Sequence, residues 1–428
     1  MLFGFGFLAY VQQKGITVAA NQMMPQLNLS QLQIGWVEWA FVLGYGLLQL
    51  PAGIVGQRLG ARRTFVIIGS AAFLATAATP LASYWLSNTS LFAALLSLQL
   101  LLGFSQAAIF PVSAGVFEVW FPPARWSFVQ GLQTMGLGLG AALTPPLIAT
   151  LMSSMGWQRA LMWASLPAVG LVSVWAWYGR DSPDVHPSVS SAELAEIGGS
   201  PAQTVDGKIG IRELLVILRD RSVLLLSLAY LLMNYAFYLL SNWVFLYLVQ
   251  ERHFSALEGG WLAGAPPLAA AAGAGLGGLI TAALCQRIGR RWGYRVLPVI
   301  ALPIASGLLL SSVAASNPYW AVAGLALCFG CVELCEGAFW GAAMTLGRGD
   351  TMAVSAIMNT GGNLGGIIGI PIVAFLSGQH SWRTAFVIGA GSTVAAAIAW
   401  LGVDVEAMRG REVLPEDLRS NRIEYADH

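Results

Sequence analysis

The chain is 428 residues long, 56% hydrophobic and only 10% charged, against roughly 25% charged residues in an ordinary soluble domain. That balance excludes a soluble globular protein, and a formal net charge of +1 excludes a nucleic-acid binder that works by bulk charge. Forty-nine Gly and sixteen Trp suit a bilayer, because Gly is tolerated within membrane helices and Trp collects at the headgroup level.

A membrane span needs about 20 apolar residues. Twelve such stretches follow one another, approximately 2–24, 32–56, 62–84, 90–118, 126–151, 158–178, 222–249, 257–284, 295–314, 318–346, 352–378 and 383–402. The first lacks the basic start and small-residue cleavage site of a signal peptide and is expected to stay in the membrane. The predicted fold is an all-α membrane protein of twelve transmembrane helices. The long polar stretch 179–221, punctuated by Pro183, Pro187 and Pro201 and with one short helical turn at 192–197, divides the spans six and six. The expected organisation is a first six-helix half over 1–178, a cytoplasmic linker over 179–221, a second half over 222–402 and a cytoplasmic tail over 403–428.

Each half carries the same pattern after its second span. Gly53-Ile-Val-Gly-Gln57-Arg58-Leu-Gly60-Ala-Arg62-Arg63 is echoed by Ala283-Leu-Cys-Gln286-Arg287-Ile-Gly289-Arg290-Arg291. The shared Gln-Arg-x-Gly-x-Arg core reads as an internal duplication, the arrangement of carriers built from two pseudo-symmetric halves with the site between them. With the linker taken as cytoplasmic, eighteen Lys and Arg fall on its side and only Arg159, Arg252 and Arg383 on the other, so both termini are expected inside.

The remaining cation, Lys14, lies within the first span beside Gln12 and Gln13, with no acid on the same helix. A charge at membrane depth costs at least roughly 2.5 to 3.5 kcal/mol, which makes each such group a functional candidate. An ammonium without a counter-ion invites an anion; the alternative is a structural partner on another helix. Glu333 and Glu336, three apart in the tenth span, share one helix face. Two buried carboxylates that close make a candidate proton site, with fixed interhelical contacts as the alternative. Glu38 and Glu118 lie nearer span ends and read as structural.

Gly136-Leu-Gly-Leu-Gly140 and Gly361-Gly-Asn363-Leu-Gly-Gly366 lie inside apolar spans, where small residues let helices approach; neither is a nucleotide loop. Asn359 and Asn363 add amides at mid-membrane, and Tyr45, Asn234, Tyr235, Tyr238, Asn242 and Trp243 add further polar or aromatic groups. Cys328 and Cys331 form C-x-x-C inside an apolar run without a second pair, which reads as core rather than zinc. His186, His253, His380 and His428 fall in loops or the tail, and no nucleophile stands beside a base. No enzyme activity, metal, cofactor or nucleic acid is expected.

The Gly53 to Arg63 segment resembles the loop signature of the major facilitator superfamily. More narrowly, Gly103-Phe-Ser-Gln106-Ala-Ala-Ile-Phe-Pro111, Trp120-Phe-Pro-Pro, His186-Pro-Ser-Val-Ser-Ser-Ala-Glu-Leu and Met358-Asn-Thr-Gly-Gly-Asn363 resemble its anion:cation symporter branch, which includes bacterial galactonate and hexuronate carriers and animal vesicular glutamate and sialic acid carriers. The resemblance implies rocker-type alternating access and import of a small organic carboxylate with protons by a monomer in a bacterial inner membrane. Uncoupled facilitation, anion exchange and a non-transporting receptor of the same fold remain open.

The departures from that branch are specific. Gln13-Lys14 stands where bacterial members commonly have Asp-Arg, Gln106 replaces a fourth-span acid, Gln99 an arginine, and Gln57 the aspartate of the loop signature. Aligned by the repeat, Gln106-Ala-Ala-Ile-Phe falls on Glu336-Gly-Ala-Phe-Trp, leaving an acid only in the second half. The expected substrate contacts are Lys14, Gln13, Tyr45, Gln106, Tyr235, Trp243, Asn359 and Asn363, with Glu336 and Glu333 for the proton and Arg58, Arg62, Arg63 and Arg287 for gating. Without its aspartate, the loop is expected to close the inner gate weakly, and Gln57→Asp to strengthen it.

Overall fold

The computed structural model describes residues 1–197, 211–378 and 382–406; most of the tail, part of the linker, His380 and His428 lie outside the described residues. Among the described residues there is no strand. Nine helical stretches among the described residues are long and apolar enough to cross a bilayer. Two of these, 123–178 and 258–314, each hold two helices, and the helix Leu2–Leu27 completes twelve. Numbering the membrane helices alone, α1 is Leu2–Leu27, α2 Gln31–Leu59, α3 Ala61–Trp85, α4 Asn88–Trp120, α5 126–155 and α6 157–178. In the second half α7 is Arg221–Gln250, α8 265–288, α9 290–314, α10 Pro318–Leu346, α11 Thr351–Gly378 and α12 Trp382–Leu401. In the linker, Ser191–Ile197 and Ile211–Leu218 form short helices.

The chain reverses at Gly156 and Gly289, whose φ angles of 77° and 81° only glycine adopts readily. Ile148 and Leu161, thirteen residues apart, both come within 4 Å of the position a Cβ would take at Gly15; an unbroken helix would hold them about 20 Å apart. Likewise a Cβ at Gly293 would lie 2.5 Å from the Cα of Cys285. Other ends are closed by side chains. Ser30 and Gln33 form a reciprocal capping box at α2, Asp220 accepts from Ser222 and Val223 at α7, and Asn317 accepts from Tyr319 at α10. Arg62 donates to the carbonyl of Ala176 at the end of α6, and Arg252 to those of Ser312, Val313 and Ala315 at the end of α9, where the helix dipole favours a cation.

The duplication read in the sequence extends to the backbone. Gly60 and Gly289, the shared glycines of the two signatures, adopt φ 81°, ψ 156° and φ 81°, ψ 163°. Both glycine runs bring helices together. Gly138 approaches Ala271 of α8 while Gly136 and Gly140 approach the backbone of α1, and Gly361 and Gly365 approach the backbone of α7. At the linker side, Met352 at the head of α11 sits in a hollow formed by Gly53 and Gly56 of α2 and Gly115 of α4. That hollow is part of the seam between the halves.

Candidate substrate cavity and its gate

A cavity of about 490 Å³ lies between the halves, lined from α1, α2, α4, α5, α7, α10 and α11. It extends away from the linker, reaching Gly35 and Trp39 near the start of α2, Trp243 near the end of α7 and Pro371 in α11. Its charged lining is sparse. Lys14 is the single cation among the described lining residues, and Glu38, Glu333 and Glu336 are the acids.

Lys14 is half-buried, and among the described residues it makes no ion pair or hydrogen bond. Of the structural partners that the sequence left open, no helix-end carbonyl meets it among the described residues, and the acid that acts on it electrostatically, Glu38, lies beyond ion-pair distance. Gln13 and Tyr45 line the same space, Tyr45 stacked on Phe41 with ring centroids 5.9 Å apart. Gln106 lines it too, its amide donating to the carbonyl of Ala9 at 3.1 Å and to Oε1 of Gln12 at 3.3 Å, which locks α4 against α1. On α11 the Asn363 side chain accepts from the Tyr238 hydroxyl at 2.7 Å and donates to the carbonyl of Asn359 at 2.7 Å. Asn359 and Trp243 also face the cavity.

Tyr235 does not line it. The lining face of α7 runs through Tyr230, Asn234, Tyr238 and Asn242, and one residue on from Asn234 the helix has turned about 100°. Tyr235 is buried among helices of the second half, its ring against Gly369 and Gly389 and its hydroxyl 3.5 Å from the carbonyl of Ala385. Among the lining residues that the sequence did not point to as substrate contacts are Tyr10, Glu38 and Trp340. Tyr10 precedes Lys14 by four residues and Trp340 follows Glu336 by four, so helical spacing alone carried that signal. Glu38 sits near a span end, but that end lies on the open side.

The two acids of α10 straddle a break in the helix at Leu334 and Cys335, and α4 breaks correspondingly at Ala108. The breaks re-register the repeat. The segment after the break begins at Ile109 in α4 and at Glu336 in α10, which pairs Gln106 with Glu333 rather than with Glu336. Gly103 and Gly330, each three residues earlier, support this register. A Cβ at Gly103 would meet the carbonyl oxygen of Phe41 in α2, and one at Gly330 that of Ala269 in α8. Glu336 is anchored, its Oε2 accepting from Trp340 Nε1 at 2.7 Å and from the Tyr230 hydroxyl at 3.2 Å. Glu333 is 3% exposed and its Oε1 has no hydrogen-bond partner among the described residues.

On the linker side the cavity is closed by the seam. Gln57 donates through Nε2 to Oδ1 of Asp350 at 3.1 Å and to the carbonyl of Gly349 at 3.2 Å. Glu118 accepts the Gly349 N–H at 2.8 Å. An amide thus ties the first half to the second where the sequence reading expected a weakened closure. Of the proposed gating arginines, Arg62 is bound within its own half, by the Ala176 contact and by its backbone N–H donated to Asp181 at 2.7 Å. Arg58, Arg63 and Arg287 are exposed on the linker side.

Comparison with known proteins agrees with this architecture. The family model of the Major Facilitator Superfamily matches residues 2–348. The chain belongs to that superfamily. The probable sulfoacetate transporter SauU of Cupriavidus necator is 25% identical to it over 374 residues, covering 86% of this chain and 84% of the relative. The hexuronate transporter of Bacillus subtilis is 23% identical over 406 residues, covering 93% and 92%. Among solved structures the proton:xylose symporter XylE superposes with a TM-score of 0.75 at 12% identity over 94% of each chain, a likeness of fold. The protein is a membrane transporter of that superfamily, with its cavity at the interface of the two halves.

Proposed function

We propose that this transporter carries a small hydroxylated organic anion with a single carboxylate, by rocking its halves, 1–178 and 222–402, about the cavity. The observation that carries this reading is Lys14, a cation at membrane depth that faces the cavity without an ion-pair or hydrogen-bond partner among the described residues. A carboxylate would complete it with a charge-assisted hydrogen bond. Three acids share the cavity with this one cation, so a second carboxylate on the substrate would meet repulsion and no partner. Sulfoacetate carries two acid groups and a hexuronate one, and the charge count here favours the second type. The amides of Gln13, Gln106, Asn359 and Asn363, with the Tyr10 and Tyr45 hydroxyls, suit the hydroxyls of such a substrate.

We assign the proton to the α10 acids. Glu336 already holds two donors, whereas the unpartnered oxygen of Glu333 gives it the free position at which a proton binds and leaves. The net positive side, with linker 179–221 and tail 403–428, would face the cytoplasm of a bacterial inner membrane, the protein acting as a monomer. The test is uptake of labelled hexuronates into proteoliposomes containing the parent or Lys14→Ala. Uptake by the parent that Lys14→Ala cuts at least about tenfold is the expected result; equal uptake by both removes the assignment.

A further inference from the structure

Below the cavity, toward the linker, the seam buries polar side chains that the closed structure leaves unsatisfied. Gln49, Gln130 and Ser355 are fully buried; among the described residues no hydrogen bond reaches the Gln130 amide or the Ser355 hydroxyl, and Gln49 has only the Tyr45 hydroxyl beside it, outside normal hydrogen-bond geometry. Each such group costs about 1 to 3 kcal/mol, a cost that apolar residues of the same size would not incur. Native proteins leave few buried polar groups unpaired, so three on one seam call for a reason.

All three occupy the same kind of position. On α2, Gln49 lies one turn beyond Tyr45, which lines the cavity, and one turn before Gly53, which touches Ala356 and Met352 of α11. On α5, Gln130 lies one turn from the cavity residue Thr134 and three residues from Ser127, which meets Gly341 of α10. On α11, Ser355 lies one turn from the cavity residue Asn359 and three residues from Met352 in its glycine hollow. Residues so spaced share a helix face. Three helices therefore present a polar group between the cavity and the contacts that shut it.

We infer that Gln49, Gln130 and Ser355 form a second substrate station, dry in this conformation and opened to water when the linker side parts, which binds the hydroxylated part of the substrate on its way out. Being neutral, the station offers the carboxylate no charged partner. It exchanges hydrogen bonds with hydroxyl groups and lets the anion go, which suits release more than capture. This rests on the transport function proposed above.

Two measurements test it, in a chain whose four native cysteines are alanine. The first is labelling by a membrane-impermeant maleimide, applied from the linker side, of Gln49→Cys, Gln130→Cys and Ser355→Cys. With Gln57→Ala to weaken the gate, each is expected to react at least about tenfold faster than with Gln57 intact, corresponding to about 1.4 kcal/mol of lost closure. Ala236→Cys, buried in the second half, is expected to stay slow in both. Station positions that remain as slow as Ala236→Cys overturn the inference. The second is the KM for labelled D-glucuronate measured from each side. Gln49→Leu and Gln130→Leu are expected to raise the linker-side KM about tenfold, one hydrogen bond's worth, and the opposite-side KM less than twofold; equal shifts on both sides, or none, overturn it. A parent that moves no D-glucuronate counts against the proposed function, and the labelling result then decides the station alone.

Discussion

Gln57 of α2 and Asp350 at the head of α11 meet across the seam as amide donor and carboxylate acceptor, 3.1 Å apart. This geometry reverses what the sequence suggests about position 57. In Gln57→Asp a second carboxylate would face Asp350, and both donated hydrogen bonds would be lost. Gln57→Asp is therefore expected to open the linker side by about 1 to 2 kcal/mol, a factor of roughly 5 to 30. Maleimide labelling at Val112→Cys, whose side chain packs on Gly56, should rise in Gln57→Asp and Gln57→Ala; a fall in Gln57→Asp would restore the simpler view.

Lys14→Ala should cut transport roughly 10- to 100-fold, the worth of one hydrogen bond to a charged group at about 1.5 to 3 kcal/mol. Because no ion pair is broken, its thermal unfolding in detergent should stay at or above the parent's. Lys14→Arg should keep part of the activity. A large loss of stability in the alanine variant would mean that the ammonium has a structural role instead.

The charge count of the cavity predicts selectivity. Competition against labelled D-glucuronate should be strong for hydroxylated monocarboxylates and at least about tenfold weaker for dicarboxylates of similar size, since the second charge finds Glu38, Glu333 and Glu336 rather than a cation. Equal competition by both classes would show that a further cation joins the site in another conformation.

For coupling, the sign follows from symport: a proton taken up with the anion makes uptake rise as external pH falls and collapse with a protonophore. Glu333→Gln should lose that pH dependence while still exchanging substrate, its amide standing in for the protonated acid. Glu336→Gln should instead bind more weakly, because the acceptor shared by Tyr230 and Trp340 is altered. Accumulation against a gradient that survives Glu333→Gln would remove the assignment.

The twin glycines offer a stability test of the duplication. Among the described residues, a Cβ at Gly289 would have no neighbour within 4 Å, whereas one at Gly60 would lie 2.7 Å from Oδ1 of Asp181. Gly289→Ala should lose only the cost of a backbone conformation that is essentially glycine's alone, about 1 to 3 kcal/mol, and Gly60→Ala more, read as a larger fall in unfolding temperature.

The helices were legible because each span is long, apolar and nearly uncharged, and the rare buried charges, Lys14, Glu333 and Glu336, pointed to the cavity. Tyr235 went astray because hydropathy in a span that is apolar all round does not reveal which face looks inward. The repeat was visible at Gly60 and Gly289, but its register in α4 and α10 depended on helix breaks that composition does not mark. Gln57 and Asp350, 293 positions apart, carry no local sign of their contact.

Met352 adds a mechanical consequence. A side chain with three rotatable bonds and a soft, polarizable sulfur, resting among glycines, adapts its shape to the surface it meets. In the rocking motion proposed above, the two halves would shut on a cushion instead of an interlocking ridge and part without dragging bulky groups past one another. Compliance would then be concentrated at the point where the two surfaces of that motion touch.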